Sequence, residues 1–175
     1  MVTITISGSP GSGKSTVAQL LAKKTGLTYV YTGDMFRSLA TQYNMSLEEF
    51  GKYCEQNKEI DEQLDAHQQK IMQKGDVIVE GRIAGWIAYR NNIPAIKIRL
   101  TADLETRTQR IIKREQGSIA TRKKDIQTRE KSEASRYHKY YGIDLADESI
   151  YDLVINTSAK APEEIVALII QKIKK

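Results

Sequence analysis

Cysteine is nearly absent from the sequence: Cys54 is the only one, so no disulfide can form within the chain. A chain without disulfides is typical of a reducing compartment, and we expect an intracellular, cytoplasmic protein. No apolar run approaches the roughly 18 residues that cross a membrane. The segment 1–6 has neither the charged region nor the cleavage site of a secretory signal, so we expect no export and no membrane partner.

Patterns of metal-binding and nucleophilic residues are also missing. His67 and His138 are the two histidines, and neither has companions at the spacing of metal ligands. Nothing around Cys54 indicates an activated nucleophile. We therefore predict neither a histidine metal site nor cysteine catalysis.

The length of 175 residues is that of one ordinary domain, and 40% hydrophobic with 28% charged residues excludes global disorder. The formal net charge is +5. Segment 103–140 accounts for this whole excess, with eleven Lys or Arg against six Asp or Glu, and it holds six of the ten arginines. An Arg-rich surface indicates an anionic partner, although a solvated helical face gives the same composition.

Short apolar runs alternate with longer helical patterns along the chain. Five of these runs predict strands, at 2–6, 28–31, 77–80, 95–100 and 152–156. Strands separated by helices predict an α/β fold with a parallel sheet and helices on both faces, that is, a three-layer α/β/α arrangement with five strands. Loops that bind phosphate then lie at the carboxyl ends of the strands.

Two segments interrupt this alternation. Residues 34–75 predict consecutive helices without a strand, and residues 116–141 predict a strongly basic helical segment. No linker, repeat or low-complexity stretch sets them apart from the rest of the chain. We therefore predict one domain, 1–175, in which both segments are insertions. The predicted core consists of 1–33, 76–115 and 142–175.

The first predicted strand leads into a glycine-rich segment that fits the pattern G-x-x-x-x-G-K-[ST]. Glycines let the backbone wrap so that N–H groups face a phosphate, and the helix that follows adds its positive N-terminus. In this pattern Lys14 reaches the β- and γ-phosphates, and Ser15 supplies a hydroxyl ligand to Mg²⁺. The pattern predicts that a nucleoside triphosphate is bound by Gly8, Ser9, Pro10, Gly11, Ser12, Gly13, Lys14, Ser15 and Thr16.

Other features that the sequence lacks exclude several classes of phosphate-loop protein. The base-reading tetrapeptide N-K-x-D of switch GTPases does not occur, and the chain is too short for a motor or a helicase. Small kinases that phosphorylate a second small substrate remain. Such an enzyme binds two anionic ligands, neutralises the transferring group and excludes water. Arginines of a mobile segment suit that task because guanidinium is planar, bidentate and always charged.

Six arginines recur at helical spacing. They form two sets, Arg107, Arg110 and Arg114 on one face and Arg122, Arg129 and Arg136 at every seventh residue. Glu133 stands between the last two, so a surface ion-pair ladder would show the same pattern. Together with the phosphate loop, the spacing favours a substrate lid over 116–141. We interpret Lys14, Arg129 and Arg136 as catalytic residues and place Arg110 beside the bound ATP.

The ends of the second and third predicted strands carry candidates for the acceptor side. Arg37 follows the second strand, and Arg82 follows the third. Both arginines would then lie at the carboxyl edge of the sheet, where they are placed to clamp one phosphate. Glu80 ends the third strand, where a carboxylate would lie near the magnesium ion, although a helix cap or an ion-pair partner would also fit this position.

Several longer stretches carry a specific family resemblance. They are GSPGSGKST at 8–16, TGDMFR at 32–37, VEGRIAGW at 79–86, REKSEASRY at 129–137, YYGID at 140–144 and YDLVINTS at 151–158. With these motifs the chain resembles the cytidylate kinases of the archaeal type, within the nucleoside monophosphate kinase family, over nearly its whole length. The resemblance implies a P-loop NTPase fold with a five-stranded parallel sheet, a monophosphate-binding insertion and a lid.

The resemblance also implies roles for single residues. It implies that Thr32 and Arg37 contact the acceptor nucleotide and that Arg82 holds the phosphate of that nucleotide. It further implies a place near the phosphates or the acceptor for three residues of the lid, Arg129, Glu133 and Arg136.

Two positions depart from the pattern of the bacterial relatives, which have Asp before the Thr/Ser-Gly and again after the Gly-Arg. These positions are Tyr31 and Ile83, so we expect the ribose and the base to be handled differently. Asp65 and Gln68 lie three residues apart on one predicted helix and are the best candidates to read cytosine. A carboxylate and an amide can satisfy the exocyclic amine and the ring acceptors of this base. Polar side chains that face solvent would show the same spacing.

These observations predict an ATP- and Mg²⁺-dependent kinase that converts CMP, and also dCMP, to the diphosphate. Because the acceptor is already an anionic oxygen, charge neutralisation and alignment carry the reaction rather than a general base. One open alternative is another small-molecule or nucleoside monophosphate kinase with UMP or AMP as acceptor. A second is a nucleotide-dependent RNA-binding module with Tyr137, Tyr140 and Tyr141 as stacking residues. We expect small nucleotides as ligands, no nucleic acid partner and a monomer.

Overall fold

Five parallel strands form one sheet in the computed structural model, which describes residues 1–115 and 117–174. The strands are β1 (Thr3–Gly8), β2 (Thr28–Tyr31), β3 (Val77–Glu80), β4 (Ile96–Thr101) and β5 (Leu153–Asn156). Their order across the sheet is β2-β3-β1-β4-β5, and every paired strand runs parallel to its neighbour. The predicted α/β fold class with its five-stranded parallel sheet is therefore confirmed.

Eight helices lie within the described residues. They are α1 (Lys14–Thr25), α2 (Thr32–Gln42), α3 (Leu47–Cys54), α4 (Lys58–Lys74), α5 (Ala84–Arg90), α6 (Leu104–Glu115), α7 (Ile119–Tyr141) and α8 (Pro162–Ile173). Two residues lie outside the described ones: Gln116, the first residue of the predicted lid, and Lys175, the last residue of the predicted core. Within this part of the chain, no helix is both long enough and apolar enough to cross a bilayer.

The helices cover the sheet on both faces and produce three layers. On one face, apolar side chains of α1 and α8 pack with Ile4, Ile6 and Leu100, all fully buried. On the other face, α4, α5 and the end of α7 pack against Val77 and Val79. The fully buried strand β3 has the apolar sequence Val-Ile-Val before Glu80. β1 and β4 instead alternate apolar residues with threonine, lysine or arginine.

The helix α2 follows the strand β2 without an intervening turn. The helix begins at Thr32, directly after β2. The ring of Tyr31 folds back over Gly33, where an added Cβ would lie 2.3 Å from the ring carbon Cζ. A side chain at position 33 would clash with this ring, so the glycine permits a close approach rather than a turn.

The segment between β2 and β3 forms a helical insertion with its own small core. Its helices α2, α3 and α4 enclose Phe50, Cys54 and Leu64, which are buried together. Cys54 is fully buried, and burial raises the pKa of its thiol to about 11, which leaves it unsuited to nucleophilic chemistry. In the second insertion, the basic one, α7 is one continuous helix, and it packs against both α6 and α3.

Candidate functional site

A cleft opens at the carboxyl ends of β1, β2 and β3. Its floor is the loop between β1 and α1, and its walls come from α2, α4 and α7. The parallel sheet brings these strand ends to one edge, so residues far apart in the sequence line the same space. Most of the predicted site residues lie here, and they are described below from the phosphate loop outwards.

The phosphate loop has the backbone that its glycines predict. Gly8 and Gly11 have φ angles of 144° and 77°, a region that favours glycine. An added Cβ would lie 2.1 Å from the carbonyl oxygen of Leu100 at Gly8, and 2.7 Å from that of Arg107 at Gly11. The loop therefore requires glycine at both positions, because of conformation and because β4 and α6 lie directly behind it.

Lys14 lines the cleft at the start of α1. Its Nζ donates a hydrogen bond to the carbonyl oxygen of Ser9 at 2.9 Å, which holds the ammonium over the loop. Burial, together with the nearby charge of Arg82, lowers the pKa of Lys14 to about 7. A polyanion bound in this loop would favour the charged form of Lys14, which is the form that phosphate binding needs.

Ser15 and Glu80 meet beside the phosphate loop. The hydroxyl of Ser15 donates to Oε1 of Glu80 at 2.8 Å, and Glu80 is 1% exposed. The described residues contain no cluster of three or more His, Cys, Asp or Glu that could enclose a metal. Mg²⁺ is usually held by one or two protein oxygens together with water and substrate phosphates. One hydroxyl and one carboxylate at a phosphate loop therefore fit this ion.

Glu133 of α7 joins two of the predicted arginines. Its carboxylate lies 2.5 Å from Nε of Arg82 and 3.0 Å from Nε of Arg129. Arg82 also donates to the carbonyl oxygen of Gly8 at 2.6 Å, so this cluster touches the phosphate loop. Burial acts to raise the pKa of Glu133, but the charges of Arg82 and Arg129 outweigh it and hold the pKa below its ordinary value.

Arg136 is held by a carboxylate that the sequence reading missed. Its Nε lies 2.9 Å from Oδ2 of Asp61 on α4, and the two side chains are 3% and 5% exposed. The guanidinium also lies over the rings of Phe36 and Tyr137, 5.6 and 5.3 Å from their centroids. Burial raises the pKa of Asp61 to about 6, while the charge of Arg136 opposes this shift.

The arginines of α6 tie this helix to the phosphate loop and to α7. Arg110 donates to the carbonyl oxygen of Thr157 at 2.7 Å and to that of Gly11 at 3.3 Å. Arg107 pairs with Glu130 of α7 at 2.7 Å. Arg114 lines the cleft. The predicted common face is thus divided between the cleft and the contact of α6 with its neighbours.

Arg122, the first of the three arginines spaced seven residues apart, lies away from the other two. Arg122 pairs with Asp125 at 3.0 Å near the start of α7. Arg129 and Arg136 lie in the cleft with Glu133 between them. Of the alternative surface ion-pair ladder, Arg129 does pair with Glu133, whereas Arg136 pairs with Asp61, and both pairs line the cleft.

The acceptor-side residues of α2 lie at the mouth of the cleft. The hydroxyl of Thr32 donates to the carbonyl oxygen of Glu80 at 2.9 Å, which fixes the start of the helix against β3. Arg37 donates to the hydroxyl of Tyr31 at 3.1 Å, and its guanidinium lies 5.4 Å from the centroid of that ring. The side chain of Arg37 is 44% exposed. It also pairs with Asp34 at 3.5 Å, an exposed contact that leaves the guanidinium accessible to an anion from solvent.

Asp65 and Gln68 both line the inner end of the cleft. Nε2 of Gln68 donates to Oδ1 of Asp65 at 3.3 Å. Gln68 is 6% exposed, and its Oε1 is buried without a hydrogen-bond partner among the described residues. Burial raises the pKa of Asp65 to about 6. A buried acceptor without a partner is costly, so this position suits a ligand that brings a donor.

Comparison with known proteins identifies the relatives of this chain. Residues 3–159 match the model of the cytidylate kinase-like family. A cytidylate kinase of Methanocaldococcus jannaschii is 47% identical over 156 residues, which cover 89% of this chain and 88% of that protein. A cytidylate kinase of Thermoplasma acidophilum is 47% identical over 171 residues, which cover 97% and 91% of the two chains.

Solved structures share the fold at much lower sequence identity. An uncharacterised protein from Eubacterium ventriosum has a TM-score of 0.73 at 19% identity, over 100% of this chain and 99% of the other. A shikimate kinase from Bacteroides thetaiotaomicron has a TM-score of 0.64 at 13% identity, over 99% of each chain. Fold, motifs and family match agree, and the resemblance drawn from the sequence is confirmed: the chain belongs to the cytidylate kinase-like family.

Proposed function

We propose that this protein transfers the γ-phosphoryl group of ATP to CMP, and to dCMP, with ADP as the second product. The observation that carries the proposal is that two groups of cationic side chains, each suited to bind an anion, line one cleft. Lys14 of the phosphate loop and the Arg82–Glu133–Arg129 cluster line the same space. The names of the curated relatives support CMP as the acceptor.

The donor would bind along the phosphate loop. The backbone of residues 8–16 and the N-terminus of α1 would hold the phosphates of ATP, with Lys14 on the terminal ones. Arg110, fixed against Gly11 and Thr157, lies beside the loop where the nucleoside of ATP would extend. Ser15 and Glu80 would hold Mg²⁺, which supplies positive charge to the β- and γ-oxygens of the donor.

The acceptor phosphate would lie between the loop and α7. Cationic side chains line the described part of the cleft, namely Lys14, Arg37, Arg82, Arg114, Arg129 and Arg136. The carboxylates that line it are fewer, namely Asp61, Asp65, Glu80 and Glu133. The excess of positive charge matches two anionic ligands. The acceptor oxygen is already ionised, so alignment and charge neutralisation by Arg82, Arg129 and Arg136 carry the transfer.

The cytosine would lie at the inner end of the cleft. The free Oε1 of Gln68 would accept a hydrogen bond from the exocyclic amine, and the carboxylate of Asp65 lies beside it. Uracil carries a carbonyl oxygen where cytosine carries this amine. With uracil bound, the acceptor groups of the protein would face another acceptor, so the arrangement favours CMP over UMP.

The two helical segments would act as the acceptor-binding insertion, 34–75, and the lid, 116–141. The C-terminal half of α7 is anchored: Tyr137 is buried against the sheet, and the hydroxyl of Tyr140 donates to the carbonyl oxygen of Cys54 at 2.8 Å. The N-terminal half is mostly exposed. We therefore place closure over ATP in the N-terminal half of α7 and in the end of α6.

The contacts of the same tyrosines argue against an RNA-binding module. Tyr137 is 8% exposed, and Tyr140 is tied to α3 through its hydroxyl. Rings engaged in this way are poor platforms for stacked bases. We propose a monomer that acts on free nucleotides in the cytoplasm, without a nucleic acid partner.

The test is an assay of ADP formation with ATP, Mg²⁺ and each of CMP, dCMP, UMP and AMP. We expect CMP and dCMP to give the highest kcat/KM values. Phosphorylation of AMP alone would replace this function with adenylate kinase activity. No transfer to any of the four, together with ATP-dependent binding of a fluorescent RNA, would favour the binding module.

A further inference from the structure

Tyr29 lies on β2, next to the strand that ends at Glu80. Its hydroxyl donates a hydrogen bond to Oε2 of Glu80 at 2.5 Å. Oε1 of the same carboxylate accepts from the hydroxyl of Ser15 at 2.8 Å. The two oxygens of one buried carboxylate are therefore held by two different elements, β2 and α1.

This double contact fixes both the position and the rotation of the carboxylate. A carboxylate held at one oxygen can still rotate, whereas Glu80 is held at both. Ser15 has a single hydroxyl proton, and that proton is used in the bond to Glu80. The lone pairs of the Ser15 oxygen are then left to act as acceptors, which is what a hard cation requires of a hydroxyl ligand.

We propose that Tyr29 is a positioning residue for the magnesium site, acting through Glu80 on Ser15. Without the tyrosine hydroxyl, Glu80 would be free to rotate, and the Ser15 proton would no longer have a fixed direction. The inference rests on the proposed kinase function because it concerns the Mg²⁺ that accompanies ATP. Partners that orient metal ligands in this way commonly change metal affinity by about 10- to 100-fold when they are removed.

A packing role is the competing explanation for Tyr29, because its ring also contacts the apolar cluster of α1 and α8. Substitution by phenylalanine separates the two roles, since it keeps the ring and removes only the hydroxyl. Tyr89→Phe is the matched control: it removes the same atom from an exposed position on α5.

The experiment measures binding rather than turnover. Calorimetry gives the Kd of a non-hydrolysable ATP analogue for the wild type, Tyr29→Phe and Tyr89→Phe, each with saturating Mg²⁺ and with EDTA. We expect the tightening by Mg²⁺ to be about tenfold smaller in Tyr29→Phe than in the wild type. The Kd values in EDTA should agree within about twofold, and Tyr89→Phe should match the wild type throughout.

A double-mutant cycle with Glu80→Gln adds a second test. If Tyr29 acts through Glu80, Tyr29→Phe will have little further effect on the Mg²⁺ dependence in the Glu80→Gln background. Equal weakening with and without Mg²⁺, unchanged binding, or additive effects in the cycle would each overturn the inference while leaving the proposed function standing. A wild type that binds the analogue in neither condition would overturn the proposed function as well.

Discussion

The carboxylate of Asp61 and the guanidinium of Arg136 form an ion pair of 2.9 Å that is almost completely withdrawn from solvent. Asp61 belongs to α4 of the helical insertion, and Arg136 belongs to α7. The pair therefore joins the helical insertion to the helix that also carries Arg129. In the proposed function, the pair would fix the charge of Arg136 before any substrate arrives, which would reduce the rearrangement needed for transfer.

Asp61→Asn tests this pair, because it keeps the shape of the side chain and removes its charge. Arg136 would then be a buried charge without its counter-ion, and breaking a buried pair from one side costs about 3–5 kcal/mol of unfolding free energy. Asp125→Asn is the control, since Asp125 pairs with Arg122 and is 52% exposed. Exposed pairs contribute about 0–1 kcal/mol. Urea denaturation measures both, and equal losses in the two variants would contradict this account.

Lys14→Ala should abolish phosphoryl transfer and leave the fold intact. The substitution removes the charge that would bridge the terminal phosphates of the donor, and little packing is lost with it. We expect kcat to fall by far more than tenfold. A tenfold fall alone corresponds to about 1.4 kcal/mol of activation free energy. Lys23→Ala, at an exposed position of the same helix, should retain wild-type kcat. Retention of more than about a tenth of kcat by Lys14→Ala would remove Lys14 from the transfer step.

Arg37→Ala should raise the KM for CMP much more than the KM for ATP. Arg37 lies at the mouth of the cleft on α2, on the acceptor side, and it is partly exposed. Loss of a charge-assisted hydrogen bond to a phosphate is worth about 1.5–3 kcal/mol, or roughly 10- to 150-fold in KM. Ser38→Ala, the exposed neighbouring position, serves as the control. Equal increases in both KM values would show that Arg37 does not belong to the acceptor site.

The sheet and the phosphate loop could be predicted because their signals are local. Short apolar runs between longer helical patterns mark the strands, and G-x-x-x-x-G-K-[ST] fixes the loop by its own spacing. The partners of the arginines could not be predicted in the same way. Asp61 looks like any acidic residue of an amphipathic helix until the fold brings Arg136 against it. Its spacing from Asp65 and Gln68, four and seven residues, was the available signal, since all three lie on one face of α4.

Two further features were hidden for other physical reasons. α5 has only seven residues, too few for a helical period to stand out from the motif that contains it. Tyr29 is part of a short strand of aromatic and β-branched residues, where a tyrosine normally signals packing. Its bond to Glu80 depends on the pairing of β2 with β3, which the order of elements in the chain does not reveal.

Asp65→Ala should reduce the preference for CMP over UMP. For the wild type we expect a ratio of kcat/KM values of at least about tenfold, because a buried acceptor left unpaired by uracil costs roughly 1–3 kcal/mol. The variant should lower this ratio chiefly by weakening CMP, while the values for ATP stay close to those of the wild type. Gln68→Ala should act in the same direction, because the free Oε1 lies on this residue. A full ratio in both variants would mean that other residues read the base.

The preference for CMP should also fall as the pH is lowered through about 6. Burial raises the pKa of Asp65 to about 6, so its carboxylate is charged above this pH and protonated below it. The charged form accepts a hydrogen bond from the cytosine amine, whereas the protonated form can donate one to the carbonyl oxygen that uracil carries at the same place. The ratio of kcat/KM for CMP to that for UMP should therefore be high at pH 7.5 and decline towards pH 5.

The 5′-phosphate titrates in a similar range, but both nucleotides carry it, so its effect cancels in the ratio. Asp65→Asn cannot titrate and should give a ratio that is flat across this range. A ratio that is flat in the wild type as well, or one that falls equally in Asp65→Asn, would show that another group controls base choice.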